Sequence, residues 1–160
     1  MSLNRKVFTL VFIRKGTKVL LGLKKRGFGF GFGKWNGFGG KVEKDESFAE
    51  GAAREVEEEC GLNVDPNNLE HTAEIEFEFK GDPVKFEMHV FQTKIFSGNI
   101  IESDEMKPEW FDEESVPFDK MWVDAKHWYH HMFSNRRFRA YFLLEGYETV
   151  LEEKIVLQDN

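Results

Sequence analysis

Three carboxylates at helical spacing are the part of the sequence most suggestive of chemistry. Between Ser47 and Cys60 the residues Ala49, Ala52, Ala53, Val56 and Cys60 recur with a helical period, and Gly61 supplies a stop signal. On that predicted helix Glu55, Glu58 and Glu59 stand at i, i+3 and i+4, so at about 100° per residue they share an arc of about that width. Like charges at these spacings repel, and they sit toward the helix C-terminus, the negative end of the macrodipole. A hard divalent ion reverses every one of those contributions. Magnesium in particular favours carboxylate oxygens together with retained waters and substrate phosphates. The pattern points either to metal-assisted chemistry on a phosphate or to a solvated acidic face.

The order of residues around the helix decides between them. Gly40, Glu46 and the run Arg54-Glu55-Val56-Glu57-Glu58-Glu59-Cys60-Gly61-Leu62 fit the pattern Gly, five residues, Glu, seven residues, Arg-Glu-apolar-any-Glu-Glu-any-Gly-apolar. Every fixed position matches, and the pattern resembles the Nudix box. The likeness continues through Leu21 to Gly33, Trp35 to Lys41, Phe77 to Phe79, His89 to Phe91, Glu102 to Met106 and Pro117 to Trp122. These stretches resemble the animal MutT-like branch of the family, whose members hydrolyse 8-oxo-dGTP.

That resemblance implies a good deal. The fold would be α/β in the α+β sense, a mixed sheet sandwiched between helices, with residues 1–160 forming one domain. The reaction would be attack of water on phosphorus, releasing monophosphate and pyrophosphate from an oxidised purine nucleoside triphosphate (8-oxo-dGTP, with 2-oxo-dATP as a second candidate) and so sanitising the nucleotide pool. Mg2+, or alternatively Mn2+, would be held by Gly40, Glu55, Glu58 and Glu59, with Glu105 contributing from a loop. Glu58 and Glu105 are both candidate bases, and Glu55 joins them in the catalytic set. Arg54 would anchor the helix glutamates, and Glu46 a loop lysine or Arg54. Lys24 would meet phosphate or substrate. Thr9, Phe28, Asn36, Phe77, Phe79, Phe86, Trp122 and Asp124 would surround the base, with Phe28 and Trp122 sandwiching it and Asn36 and Asp124 reading its edge. The same box also serves dinucleoside polyphosphates, capped RNA and N6-methylated purine nucleotides. A catalytically silent nucleotide sensor would be expected to have lost a metal glutamate, and none is missing.

Two departures stand out. The animal branch carries two adjacent aspartates after its tryptophan, whereas this chain reads Trp122-Val123-Asp124-Ala125. A carboxyl pair can share protons and present either a donor or an acceptor, so one aspartate implies narrower base selectivity or a different pH profile. The second departure is the glycine loop from Phe28 to Gly33, about two residues longer than in the relative. Its extra Phe30 or Phe32 would either lid the pocket or, the favoured reading, bulge into solvent.

The elements that must position these residues follow from periodicity. Val7 to Ile13 and Val19 to Leu23 predict two strands around a turn, and Gly27 to Gly40 a loop whose backbone can approach a ligand closely. Ile75 to Phe79, Phe86 to Ile95, Phe138 to Leu144 and Thr149 to Val156 predict further strands, Asp124 to Asn135 a second helix, and Pro108 to Asp119 loop or short strand. Seventeen Phe exceed the needs of a core alone, so some are free to line a pocket for a flat ligand. With a net charge of −7 and one short basic cluster at Arg136, Arg137 and Arg139, polymeric nucleic acid is an unpromising partner, while a small phosphate ligand is not. Cys60 is the only cysteine, which excludes an internal disulfide and suits a reducing compartment. Its position on the helix makes it a buried thiol rather than a nucleophile. No apolar run is long enough for a membrane span, so the expectation is a cytoplasmic monomer, in the mitochondrial or nuclear pool as an alternative.

Overall fold

The computed structural model describes residues 4–25 and 32–158. Among them eight strands form one mixed sheet: β1 (Arg5–Lys15), β2 (Lys18–Lys24), β3 (Trp35–Asn36), β4 (Glu70–Phe79), β5 (Lys85–Thr93), β6 (Met106–Asp112), β7 (Arg137–Glu145) and β8 (Thr149–Gln158). Their order is β3-β2-β1-β5-β4-β7-β8, with β6 on the other edge of β2. The β1–β5 and β4–β7 pairs are parallel and the others antiparallel. Helices α1 (Phe48–Cys60) and α2 (Ala125–Phe133) cover opposite faces.

Alternation along β1 explains the two layers. Val11 and Ile13 face α1 and pack with Leu20, Phe38, Ala52, Val56, Cys60 and Phe91. Leu10 and Phe12 face α2 and pack with Leu21, Ile75, Phe77, Trp128, Tyr129, Phe138 and Phe142. Helix α1 starts where its sequence demands. Ser47 accepts a hydrogen bond from the Glu50 amide while the Glu50 carboxylate accepts one from the Ser47 amide, and Gly61 ends the helix at φ 82°. The end of α2 is tied to the sheet by buried Arg14, which donates to Gln92 at 2.8 Å, Asn135 at 2.9 Å and Glu113 at 2.6 Å.

One sequence expectation is decided and another changes. Of the loop or short strand open to Pro108–Asp119, the first part is strand: it belongs to β6, which pairs with the whole of β2, and beyond Asp112 the chain breaks into two single-turn 3-10 helices at Glu113–Ser115 and Phe118–Lys120. The proline is tolerated because β6 is an edge strand. The glycine-rich stretch departs from a plain loop in its described part, where Trp35 to Lys41 is threaded through the sheet. Asn36 and Trp35 pair with Gly22 and Leu23 on one side, while Phe38 and Lys41 bridge to Val11 and Phe8 on the other.

Candidate active site

This threading accounts for the glycines. A Cβ at Gly39 would lie 1.8 Å from the Thr9 carbonyl oxygen, and one at Gly37 would lie 2.6 Å from that of Val11. Only glycine lets the segment run that close to β1. At Gly40 the obstacle is different: a Cβ would sit 2.7 Å from Oε1 of Glu55. The missing side chain at Gly40 is the space into which Glu55 brings its carboxylate.

The glutamates of α1 occupy three environments. Glu59 turns inward, and its Oε1 accepts the Gly39 amide at 2.7 Å. Burial, with Glu55 and Glu105 nearby, pushes its carboxyl up to about 8 despite that hydrogen bond. Glu55 is half-buried and also held above the ordinary carboxylate range, chiefly by desolvation. Glu58 is exposed. Arg54 ties Glu55 and Glu58 to Glu46: its guanidinium donates to Glu46 at 2.8 and 3.1 Å, to Glu55 at 3.0 Å, to Glu58 at 3.2 Å and to the Lys41 carbonyl at 3.2 Å. Hydrogen bonds to Arg54 and to the Glu43 amide hold Glu46 below the usual carboxylate range. Of the two partners open to Glu46 from sequence, the geometry selects Arg54.

A cleft of about 320 Å³ opens beside Glu59 and runs between β1, β3 and α2. Thr9, Lys24, Asn36, Gly40, Phe77, Phe79, Phe86, Trp122 and Asp124 all line it. Its far end is aromatic: Phe79 meets Phe86 edge-on at 5.6 Å and Trp122 at 6.4 Å. Two polar side chains interrupt this wall. Asp124 is buried, accepts the Trp128 indole N–H at 2.8 Å, and has its carboxyl pushed up by that burial. Asn36 receives the Tyr129 hydroxyl at 3.0 Å.

A carboxyl-bearing end that can take up a cation and an aromatic slot at the other end suit a ligand with an anionic tail and a flat head. The family model described as the NUDIX domain matches residues 3–132. The chain belongs to the Nudix family. A Danio rerio protein named oxidized purine nucleoside triphosphate hydrolase is 44% identical over 150 residues, 94% of each chain. Its Mus musculus namesake is 41% identical over 151 residues, again 94% of each. Among solved structures, a mutator MutT protein from Bacillus halodurans matches with a TM-score of 0.80 at 25% identity, over 94% of this chain and 97% of that one. A MutT protein from Methanosarcina mazei gives 0.67 at 24% identity, over 84% and 96%, and shares the fold.

As a Nudix hydrolase the chain works with a divalent cation, and its residues fit one. Gly40 leaves a cradle for the Glu55 carboxylate, and Glu55 and Glu105 add to the burial that raises Glu59. Such a set gains from a cation in its midst. The Gly40 carbonyl is less free than the sequence suggested, since it accepts the Thr9 amide at 2.9 Å and the Thr9 hydroxyl at 3.5 Å. Among the described residues, the one trio of His and acidic side chains whose ligand atoms all lie within 4.8 Å of one another is elsewhere, at Glu74, Glu87 and His89. Arg5 and Arg139 already neutralise those carboxylates.

The cleft thus gathers every base-binding residue expected from sequence except Phe28, which lies outside the described residues. Phe32, the described half of the extra Phe pair, is 58% exposed. Sequence reasoning missed Trp128, which lines the cleft and holds Asp124, and Tyr129, which holds Asn36. One signal was present: Asp124 and Trp128 are four apart across the start of a predicted helix and so share a face. Cys60 is buried, with its thiol pushed up to about 11 by desolvation, as a packing residue should be. No helix among the described residues is long and apolar enough to cross a membrane.

Proposed function

We propose that this Nudix hydrolase cleaves oxidised purine nucleoside triphosphates, 8-oxo-dGTP foremost, to the monophosphate and pyrophosphate with Mg2+ as the working metal. The observation that carries the reading is one continuous cleft joining Glu59 and Gly40 to an aromatic slot edged by Asn36 and Asp124. The identity of 41–44% to two proteins named for that activity supports it.

In this reading Glu55, Glu58 and Glu59 would hold the metal with Glu105, Mn2+ being a permissible substitute. A cation held there would supply positive charge against the phosphate oxygens and make water more acidic. Arg54 fixes the carboxylate positions from behind. Glu58, exposed on the outer rim, or Glu105 takes the proton of the attacking water, and Lys24 meets the phosphates. Thr9 fixes the Gly39-Gly40 backbone. Phe77, Phe79, Phe86 and Trp122 exclude water around the base, with Phe28 proposed as the opposing face of the sandwich, while Asn36 and Asp124 read its edge. Residues 1–160 act as one domain: β7 and β8 lie outside the matched segment but continue its sheet. The protein works as a cytoplasmic monomer on the free nucleotide pool.

The test is a panel of 8-oxo-dGTP, 2-oxo-dATP, dGTP, an N6-methylated purine nucleotide, a dinucleoside polyphosphate and capped RNA, with products identified. Preference for the oxidised triphosphates with pyrophosphate release supports the reading. Preference for any other member of the panel overturns it.

A further inference from the structure

Tyr129 is fully buried in an aromatic box, with Phe12 edge-on at 5.1 Å, Phe118 at 5.7 Å and Phe133 at 5.8 Å. A phenylalanine would fill that box without carrying a hydroxyl into it, and a buried hydroxyl without a partner is costly. This hydroxyl donates to Oδ1 of Asn36 at 3.0 Å. The same oxygen accepts the Gly37 amide at 2.9 Å. A backbone N–H can only donate, so the Asn36 atom facing Gly37 is the amide oxygen, and the flipped alternative is excluded. Tyr129 then occupies its second lone pair. With the oxygen saturated, what Asn36 has left for the cleft it lines is its Nδ2 group, a donor. The next residue back, Trp128, holds Asp124 on the same cleft, so two adjacent aromatics of α2 support the two polar side chains of its aromatic end.

We propose that Tyr129 is a positioning residue for base recognition. It locks Asn36 so that Nδ2 donates into the cleft, which selects a base edge carrying an acceptor such as a carbonyl oxygen. The choice of ligand rests on the nucleotide reading above.

The experiment measures binding of 8-oxo-dGMP by calorimetry in chelator, so that neither metal nor turnover enters, for wild type, Tyr129→Phe, Asn36→Ala and the double variant. If Tyr129 acts through Asn36, Tyr129→Phe weakens binding by roughly 3- to 10-fold in the wild-type background, the worth of one neutral hydrogen bond. In the Asn36→Ala background it then has less than about a 2-fold effect. The KM for 8-oxo-dGTP rises by a larger factor than kcat falls. Equal losses in both backgrounds, or no loss in either, overturn the proposal. If Tyr129→Phe does not fold, the side-chain amide resonances of Asn36 in the wild type decide: they shift on ligand addition, or the proposal fails. A wild type that does not bind 8-oxo-dGMP overturns the nucleotide reading and this proposal together, whereas binding with equal losses overturns this one alone.

Discussion

Gly39 and Gly40 are neighbours with different reasons for being glycine, so alanine at the two positions should produce opposite phenotypes. In Gly39→Ala the new Cβ would meet backbone: Thr9 O at 1.8 Å, Thr9 C at 2.6 Å and Leu10 Cα at 3.0 Å. None of these atoms can swing away, so the segment must move off β1. That strains the flanking hydrogen bonds, Thr9 amide to Gly40 at 2.9 Å and Val11 amide to Phe38 at 2.6 Å. Overpacking costs about 1–3 kcal/mol, and each lost backbone bond costs about 1 kcal/mol more. The gain of up to about 1 kcal/mol from a stiffer unfolded chain offsets only part of this. A net loss of about 3 kcal/mol lowers the melting temperature of a domain this size by roughly 6–12 °C. In Gly40→Ala the atoms nearest the Cβ all belong to the Glu55 carboxylate, with Oε1 at 2.7 Å, Cδ at 2.8 Å and Oε2 at 3.0 Å. A side-chain end can rotate away, so stability should stay within about 1 kcal/mol. The displaced carboxylate should instead weaken cation affinity about 10- to 100-fold, the usual effect of disturbing groups that orient a metal ligand. Thermal melts in chelator read the first effect, and Mg2+ titrations followed by calorimetry and turnover read the second. A Gly40→Ala protein with wild-type Mg2+ affinity, or a Gly39→Ala protein with a wild-type melting temperature, would refute the reasoning.

Further expectations follow from the same geometry. Arg54→Lys keeps the charge but loses the planar fork that reaches Glu46, Glu55, Glu58 and the Lys41 carbonyl at once, so kcat/KM should fall about 10- to 100-fold with the fold intact; unchanged kinetics would show that the carboxylates need no anchor. Burial raises the folded-state pKa of Glu59 to about 8, so in chelator its contribution to stability is full at acid pH and is lost as pH rises toward that value, at up to about 1.4 kcal/mol per pH unit. Asp124, also raised, adds in the same direction, while His71 is held below its ordinary value and opposes only at lower pH. Melting temperature should therefore drop between pH 7 and 8 in chelator and drop less with Mg2+; identical slopes would count against a cation at Glu59. With Ala125 beside Asp124, the ratio of kcat/KM for 8-oxo-dGTP over 2-oxo-dATP should depart from unity or change across pH 6 to 9, and equal values throughout would remove any consequence of the single carboxyl.

Where local pattern and tertiary structure agree, the chain was readable in advance. The apolar stripe from Ala49 to Cys60 predicts α1 because that stripe is what it buries, and the run of β-formers from Val7 to Ile13 predicts a strand, apolar at successive positions because its two faces serve different layers. Legibility failed where a partner distant in sequence decides. Trp35 and Asn36 become a strand only because Leu23 and Gly22, distant in sequence, pair with them, and Pro108 sits in a strand only because β6 is an edge. The same limit holds in the site. The arc shared by Glu55, Glu58 and Glu59 straddles the edge of the buried surface, so Glu59 turns to Gly39 while the Glu58 side chain stays 57% exposed. Trp128 and Tyr129 read as core because they are core, at 2% and 0% exposed; what a sequence does not display is that each also spends its polar atom on a cleft residue.

The most direct measurement is steady-state hydrolysis of 8-oxo-dGTP by the wild type and by Glu59→Gln, each in Mg2+ and in excess chelator, with calorimetric Mg2+ binding on the same samples. If the carboxylates of α1 grip a cation against the phosphate tail, the wild type binds Mg2+ and turns over only in its presence, while the variant loses both together. Undiminished turnover in chelator, or an active Glu59→Gln protein with no measurable Mg2+ binding, would contradict the account.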